Sequence, residues 1–122
     1  MRRRRFELLV VEALESLPPD IVGMMDNIDV VIEDWPSDDE LQRAGVEPGH
    51  SMFGLYVGIP LTVRNSGYSM ILPDKIIIYQ GPLEEWYQSF SELVEQVRRT
   101  VIHEVAHHFG ISDARLAELG WA

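Results

Sequence analysis

The apolar positions near the N-terminus follow the period of an amphipathic helix. From Phe6 onward, apolar residues recur at helical spacing until two prolines, at 18 and 19, stop the pattern. This face consists of Phe6, Leu9, Val10, Ala13, Leu14 and Leu17. We therefore predict a first helix that ends before Pro18 and packs one face against a core.

Three later stretches have the character of β-strands. IDVVIEDWP at 28–36 is a β-branched run closed by a proline, which is typical of a largely buried strand. MFGLYVGIPLTV at 52–63 contains two glycines and Pro60, and because proline is tolerated mainly at sheet edges we predict an edge strand. IIIYQ at 76–80 predicts a core strand.

Helices are predicted between and after these strands. Ser37 and Glu40 have the spacing of a capping box, which predicts a short helix that ends near Gly45. Gly81 and Pro82 indicate the start of a long helical stretch over 83–109, with room for one break. Its predicted apolar stripe is Trp86, Phe90, Val94, Val97, Val101 and Val105.

Length and composition indicate one globular domain that spans residues 1–122. Nearly half of the residues are hydrophobic, at 46%, which is unlike a disordered chain. The chain contains no cysteine, so any metal ion must be held by nitrogen and oxygen ligands. No apolar run approaches the roughly 18 residues of a membrane span, so we expect no membrane partner.

The charge distribution argues against a nucleic-acid partner. The net charge is −10 at pH 7, and four of the ten basic residues lie at 2–5, so the rest of the chain is strongly acidic and should repel nucleic acid. We interpret the arginine run as a solvated helix start without a function. Glu7 and Glu12 interrupt the apolar stretch that follows, which argues against a signal peptide, and we expect a cytoplasmic protein.

The candidate chemistry lies in HEVAHHFGISD, residues 103–113. His103 and His107 are one helical turn apart, so both imidazoles can reach one ion at about 2.0–2.1 Å. Glu104 lies about 100° around the helix, where it can act on a metal-bound water without being a ligand. Apolar residues surround this segment on most sides of the helix, so we expect this helix end to be covered by protein and the site to be sheltered.

Gly110 and Asp113 extend the motif. Gly110 permits the left-handed turn that ends a helix, so that the chain doubles back and Asp113 can supply a third ligand. Three protein ligands with one water make an open catalytic zinc site. Zinc there would lower the pKa of its water to about 7, while Glu104 accepts the proton and delivers it to a leaving amine. This chemistry suits amide hydrolysis.

A different role for Asp113 stays open at this point. Ser112 or Asp113 could instead cap the helix ARLAEL at 114–119. The third ligand would then be His108 or Glu118. His108 is the poorer candidate because it points about 100° away from its neighbour, His107.

The similarity to known proteins extends well beyond the motif. VVIEDWP, LYVGIPLT, LPDKIIIYQGPLE and HEVAHHFGISDARLAELG occur in this order over most of residues 28–122. With these stretches the chain resembles the short zincin-like proteins of bacteria, which are predicted zinc metallopeptidases with a minimal catalytic domain. Metzincins, which share part of the pattern, place a histidine where Asp113 stands and then a methionine turn. Here the residues after Asp113 include no methionine.

The resemblance implies an α+β zincin-like fold, in which a small mixed β-sheet packs against an N-terminal helix and a long helix that carries the motif. It implies that His103, His107 and Asp113 bind one zinc ion, that Glu104 is the base, and that the edge strand borders the cleft. The implied substrate is an extended peptide or an unfolded protein, and peptides of this kind add to edge strands.

Two other functions remain possible from the sequence. A non-catalytic module could use the metal to hold the C-terminal segment to the helix while the edge strand captures a peptide. A metal-dependent endoribonuclease with the pattern HxxxHxxGxxH is a weaker alternative. That pattern has no glutamate at the position of Glu104, and the acidic chain would repel RNA.

Overall fold

The computed structural model describes residues 1–46, 52–58 and 73–121. Within these ranges the chain forms six helices and three strands. In chain order they are α1 (Arg3–Glu15), α2 (Pro19–Met24), β1 (Ile28–Glu33), α3 (Asp38–Arg43), β2 (Gly54–Val57), β3 (Asp74–Tyr79), α4 (Gln80–Trp86), α5 (Phe90–His108) and α6 (Asp113–Leu119). None of the described helices is long and apolar enough to cross a membrane.

The three strands form a mixed sheet in the order β1-β3-β2. β1 runs parallel to β3, and β2 runs antiparallel to it. β3 lies in the centre, and its residues from Ile76 to Tyr79 are buried, so the predicted core strand is confirmed, although Gln80 already belongs to α4. The expected α+β class with a small mixed sheet is confirmed.

The predictions for the two outer strands, β2 and β1, have different outcomes. Among the described strands β2 pairs only with β3, as expected of an edge strand, while residues 59–63 of the predicted strand lie outside the described residues. β1 was expected to be largely buried, and this is wrong: its residues are half-buried and Asp29 is exposed. The reason is its place in the sheet, since within the described residues β1 also pairs with β3 alone.

The core lies between one face of the sheet and the two longest helices. Ile76 and Ile78 of β3 point into it. α1 contributes its predicted face, with Phe6, Leu9, Val10 and Ala13 buried. α5 contributes Leu93, Val97, Val101, Ile102, Val105 and Ala106. The helix that carries the motif is therefore held from below by α1 and by the sheet.

The long helical stretch is broken once, between α4 and α5. α4 ends at Trp86, and the Ser89 side chain caps α5 by accepting a hydrogen bond from the Glu92 N–H at 3.2 Å. The break changes the helical phase, so the predicted stripe is wrong at its start: Trp86 is 72% exposed and Phe90 is 37% exposed. The stripe is correct for Val97, Val101 and Val105.

The arginine run at the N-terminus was expected to be merely solvated, but one of its residues, Arg3, contacts other elements. Arg3 donates hydrogen bonds to Gln80 Oε1 at 2.8 Å and to the Ile32 carbonyl at 3.0 Å, and it also pairs with Asp34. Gln80 is buried. Arg3 therefore joins the start of α1 to the end of β1 and to the start of α4.

The short helix α3 has the predicted capping box. The Glu40 N–H donates to Ser37 Oγ at 3.1 Å, and the Ser37 N–H donates to Glu40 Oε1 at 2.9 Å. Gly45 follows with a φ of 73°, a left-handed conformation that suits glycine at a helix end. Both predicted limits of this helix are therefore confirmed.

Candidate metal centre

The end of α5 turns the chain back towards the motif histidines. Gly110 has a φ of 77°, its N–H bonds to the His107 carbonyl at 3.1 Å, and the Ile111 N–H bonds to the Ala106 carbonyl at 2.8 Å. This pair of bonds is a Schellman motif, for which glycine is the usual residue at the left-handed position. As a result, the residues after Gly110 lie beside the last turn of α5.

Asp113 lies at the start of α6 but does not cap it. The cap is Ser112, whose hydroxyl accepts the Arg115 N–H at 3.2 Å. The Asp113 side chain turns instead to the histidines, with Oδ1 at 2.9 Å from His107 Nε2 and 3.6 Å from His103 Nδ1. The hydrogen bond from His107 holds the pKa of the Asp113 carboxyl below its usual value.

These three side chains have the donor set and spacing of a zinc site. One ligand atom from each of His103, His107 and Asp113 lies within 4.8 Å of the others. A tetrahedral zinc ion with bonds of 2.0–2.2 Å would separate its ligand atoms by about 3.4 Å. The two measured separations, 2.9 and 3.6 Å, lie on either side of that value. Among residues 1–46, 52–58 and 73–121, this is the one cluster of its kind.

The other candidates for a third ligand lie elsewhere. The His108 ring stacks on Tyr56 with centroids 3.9 Å apart and planes 14° apart, and its Nε2 is 3.9 Å from Asp74 Oδ2. Glu118 pairs with Arg115 at 2.9 Å. Neither side chain joins the cluster.

Glu104 occupies a more sheltered position than the histidines do. Its Oε1 accepts the backbone N–H of Tyr56 at 3.1 Å. Burial raises the pKa of the Glu104 carboxyl above its usual value, and the Tyr56 N–H, His107 and His103 oppose part of that rise. A carboxyl whose proton affinity is raised in this way suits a general base.

The expectation that the whole helix end is covered by protein is wrong. Its inner side is buried, but the side chains of His103 and His107 are 45% and 49% exposed, and Phe109 is also exposed. The difference arises because, among the described residues, α5 meets the sheet and α1 with one side. Shelter is therefore limited to Glu104, whereas the cluster of His103, His107 and Asp113 faces outward.

A cleft of about 320 Å³ adjoins Glu104 on the side of β2. Its lining residues are Phe53, Gly54, Gln96, Arg99, Thr100, His103 and Glu104. A Cβ atom added to Gly54 would lie 2.5 Å from Thr100 Cγ2 and 3.0 Å from the Ile77 carbonyl oxygen, so this close approach of strand and helix requires glycine. Of the strand predicted to border the cleft, Phe53 and Gly54 line it.

Sequence reasoning did not single out Tyr56 and Asp74. Both lie beside the site, because the Tyr56 hydroxyl donates to Asp74 Oδ2 at 2.6 Å and the Tyr56 N–H contacts Glu104. No local pattern distinguishes Tyr56 from the other tyrosines of the chain, and only the approach of β2 to α5 gives it a place in the site.

A family model described as zincin-like metallopeptidase matches residues 25–121. The match covers all three described strands and the helices α3 to α6, and therefore the whole cluster of histidines and carboxylates. Among curated proteins, none matches the chain at a significant level.

Proposed function

We propose that this chain, which belongs to the zincin-like metallopeptidase family, hydrolyses peptide bonds with one zinc ion. The observation that carries the proposal is the different placement of two carboxylates. Asp113 contacts both histidines, whereas Glu104 lies apart from them and bonds to a strand. A ligand set with a separate base is what hydrolysis at zinc requires.

His103, His107 and Asp113 would hold the ion, since their donor atoms fit its size and its preference for nitrogen and oxygen. When bound, zinc supplies a Lewis acid that polarises the peptide carbonyl and acidifies water. Asp113 would bind as a carboxylate, and the hydrogen bond from His107 that lowers its pKa favours this ionised form.

Glu104 would move the proton. Its carboxylate takes a proton from the attacking water and passes it to the nitrogen of the leaving amine, so that one residue serves as base and then as acid. The raised pKa of Glu104 favours this step because it strengthens the carboxylate as a proton acceptor.

The substrate would be an extended peptide or an unfolded segment that lies along β2. The Tyr79 N–H donates to the Phe53 carbonyl, and β2 pairs Gly54 with Ile78, so the backbone groups of Gly54 point away from β3. That outward edge lies beside the cleft that contains Glu104. A peptide that adds to this edge would therefore lie next to the base.

The test uses Glu104→Ala with Glu85→Ala as its matched control, because Glu85 is an exposed glutamate on α4. Each protein is loaded with one equivalent of zinc and incubated with an unfolded protein and a peptide library. We expect cleavage by the wild type and by Glu85→Ala, and a loss of at least about 100-fold in Glu104→Ala with zinc content unchanged. Equal cleavage by Glu104→Ala would contradict the mechanism.

A non-catalytic binding module is the second candidate. The observation in its favour is that the cluster joins two elements, since Asp113 belongs to α6 while both histidines belong to α5. Metal there would fasten α6 to α5 whether or not turnover occurs. Stoichiometric zinc binding without cleavage of any peptide would favour this function over the first.

A further inference from the structure

β2 is fastened to α5 at three successive helical turns. Thr100, Glu104 and His108 are each four residues apart and therefore lie on one side of α5. Thr100 packs against Gly54, Glu104 accepts the Tyr56 N–H, and His108 stacks on the Tyr56 ring. The proposed base is the middle of these three contacts, and His103 and His107 form a separate, neighbouring stripe.

The Tyr56 side chain is held from two directions. Its ring lies 3.9 Å from that of His108, nearly parallel, and its hydroxyl donates to Asp74 Oδ2 at 2.6 Å. Asp74 is the first residue of β3 and its side chain is only 13% exposed, so it offers a fixed acceptor. We call these three residues, His108, Tyr56 and Asp74, the tyrosine clamp.

β2 has a reason to need such a clamp. It is four residues long, and among the described strands only β3 pairs with it. Short strands at a sheet edge open more readily than central ones. Without side-chain contacts, the N–H of Tyr56 would move away from Glu104 whenever β2 opened.

We propose that Tyr56 is a positioning residue, whose clamped side chain holds its own backbone N–H against Glu104 Oε1 and so fixes the direction of that carboxylate. The inference deepens the proposed function and rests on it, since the direction of Glu104 matters for turnover only if Glu104 is the base. Misplacement of a reacting group by about 1 Å can lower a rate on the order of 100-fold.

The first test measures backbone exchange and needs no turnover. Amide hydrogen exchange at residue 56 is followed by NMR in the wild type, Glu104→Ala, Tyr56→Phe and Tyr56→Leu, with and without zinc, after correction for intrinsic rates. We expect about tenfold faster exchange in Glu104→Ala and Tyr56→Leu, and a smaller effect in Tyr56→Phe. The Leu55 amide, which faces β3, should exchange faster as well in Tyr56→Leu, because opening of β2 releases both amides. The Val10 amide, within α1, is the internal control and should change less than about twofold.

The second test separates positioning from binding. We expect kcat to fall about 10- to 100-fold in Tyr56→Leu and in His108→Leu, with KM and zinc affinity within about twofold of the wild type. His108→Phe is the matched control, because it keeps a ring to stack on Tyr56, and it should retain most of kcat. If a leucine variant does not fold, Tyr56→Phe and the other leucine variant decide.

The two proposals fail in different ways. A wild type that cuts no peptide contradicts the peptidase function, while exchange at residue 56 still decides whether the clamp holds the N–H. A wild type that cuts peptides, with kcat unchanged in Tyr56→Leu and His108→Leu and with exchange unchanged in Tyr56→Leu, overturns the clamp and leaves the peptidase function standing. If kcat falls only because a variant has lost its zinc, the clamp proposal is overturned as well.

Discussion

The carboxylates of Asp113 and Glu104 lie near the same pair of histidines but in opposite environments. Asp113 is exposed, and the bond from His107 lowers the pKa of its carboxyl, whereas burial raises the pKa of the Glu104 carboxyl. Two carboxyl groups whose environments move their pKa values apart can take different chemical roles. The more acidic carboxyl group, that of Asp113, is therefore suited to bind metal, and the more basic one, that of Glu104, is suited to accept a proton.

Zinc affinity should show whether Asp113 acts as a metal ligand or as a helix cap. We expect Asp113→Ala to weaken zinc binding at least about 100-fold, since it removes a direct ligand and even indirect partners of a ligand contribute 10- to 100-fold. Ser112→Ala should cost about 1 kcal/mol of folding stability as a lost helix cap, with zinc affinity retained. Competition with a chromophoric chelator and urea unfolding measure the two effects. Wild-type zinc affinity in Asp113→Ala would exclude Asp113 as a ligand.

The pH dependence of folding stability should reveal the free-energy cost of ionising Glu104 in the folded protein. The folded pKa of Glu104 lies above its ordinary value of 4.5, so the metal-free protein loses stability as pH rises from below 4.5 through the folded pKa. Glu104→Gln keeps an oxygen for the Tyr56 N–H but carries no charge. We therefore expect this variant to be more stable than the wild type at pH 7, with the difference shrinking as pH falls towards 4.5. An equal difference at both pH values in urea unfolding would contradict this explanation.

At the scale of elements, the helix and strand periods in the sequence predicted the structure correctly where it depends on local spacing alone. The face of α1, the capping box of α3 and the buried residues of β3 follow from local spacing. The half-buried state of β1 depends on where the sheet places it, and the phase of α5 depends on a break that periodicity cannot locate. The exposure of the histidines likewise depends on which elements cover α5.

The contact between β2 and α5 gives a test at this scale. In Gly54→Ala the added methyl group would collide with Thr100 Cγ2 and the Ile77 carbonyl, and we expect a loss of about 1–3 kcal/mol from overpacking. Thr100→Ser removes the colliding methyl group but keeps the hydroxyl that donates to the Gln96 carbonyl. The double variant should therefore recover part of the loss in urea unfolding. Strictly additive effects would show that the contact is not the cause.

At the scale of the whole molecule, α1 lies outside the matched residues 25–121 and yet completes the core beneath α5. Its apolar face was predictable from the sequence. The role of Arg3 was not, because its partners are distant along the chain and nothing in a run of arginines distinguishes one from another. The motif predicted which residues would meet at the site, because a fixed spacing on one helix and one glycine turn bring them together.

Arg3 and Arg4 provide a matched pair for this anchoring. Arg3→Ala should destabilise the protein by about 1–3 kcal/mol, since it removes hydrogen bonds from a charged group to Gln80 and to the Ile32 carbonyl. Arg4→Ala should change stability by less than about 0.5 kcal/mol, because Arg4 is exposed. Guanidinium unfolding of both variants measures the difference, and equal effects would mean that the Arg3 contacts do not anchor α1.

The attachment of α6 has a consequence for the speed at which metal would be exchanged. Leu116 is the buried residue of this seven-residue helix, so α6 can detach at far less cost than the core, and Asp113 leaves the histidines when it does. Release would then follow the opening of one short helix rather than unfolding of the molecule. At high chelator concentration the release rate should reach a plateau equal to the rate of that opening, many times faster than global unfolding.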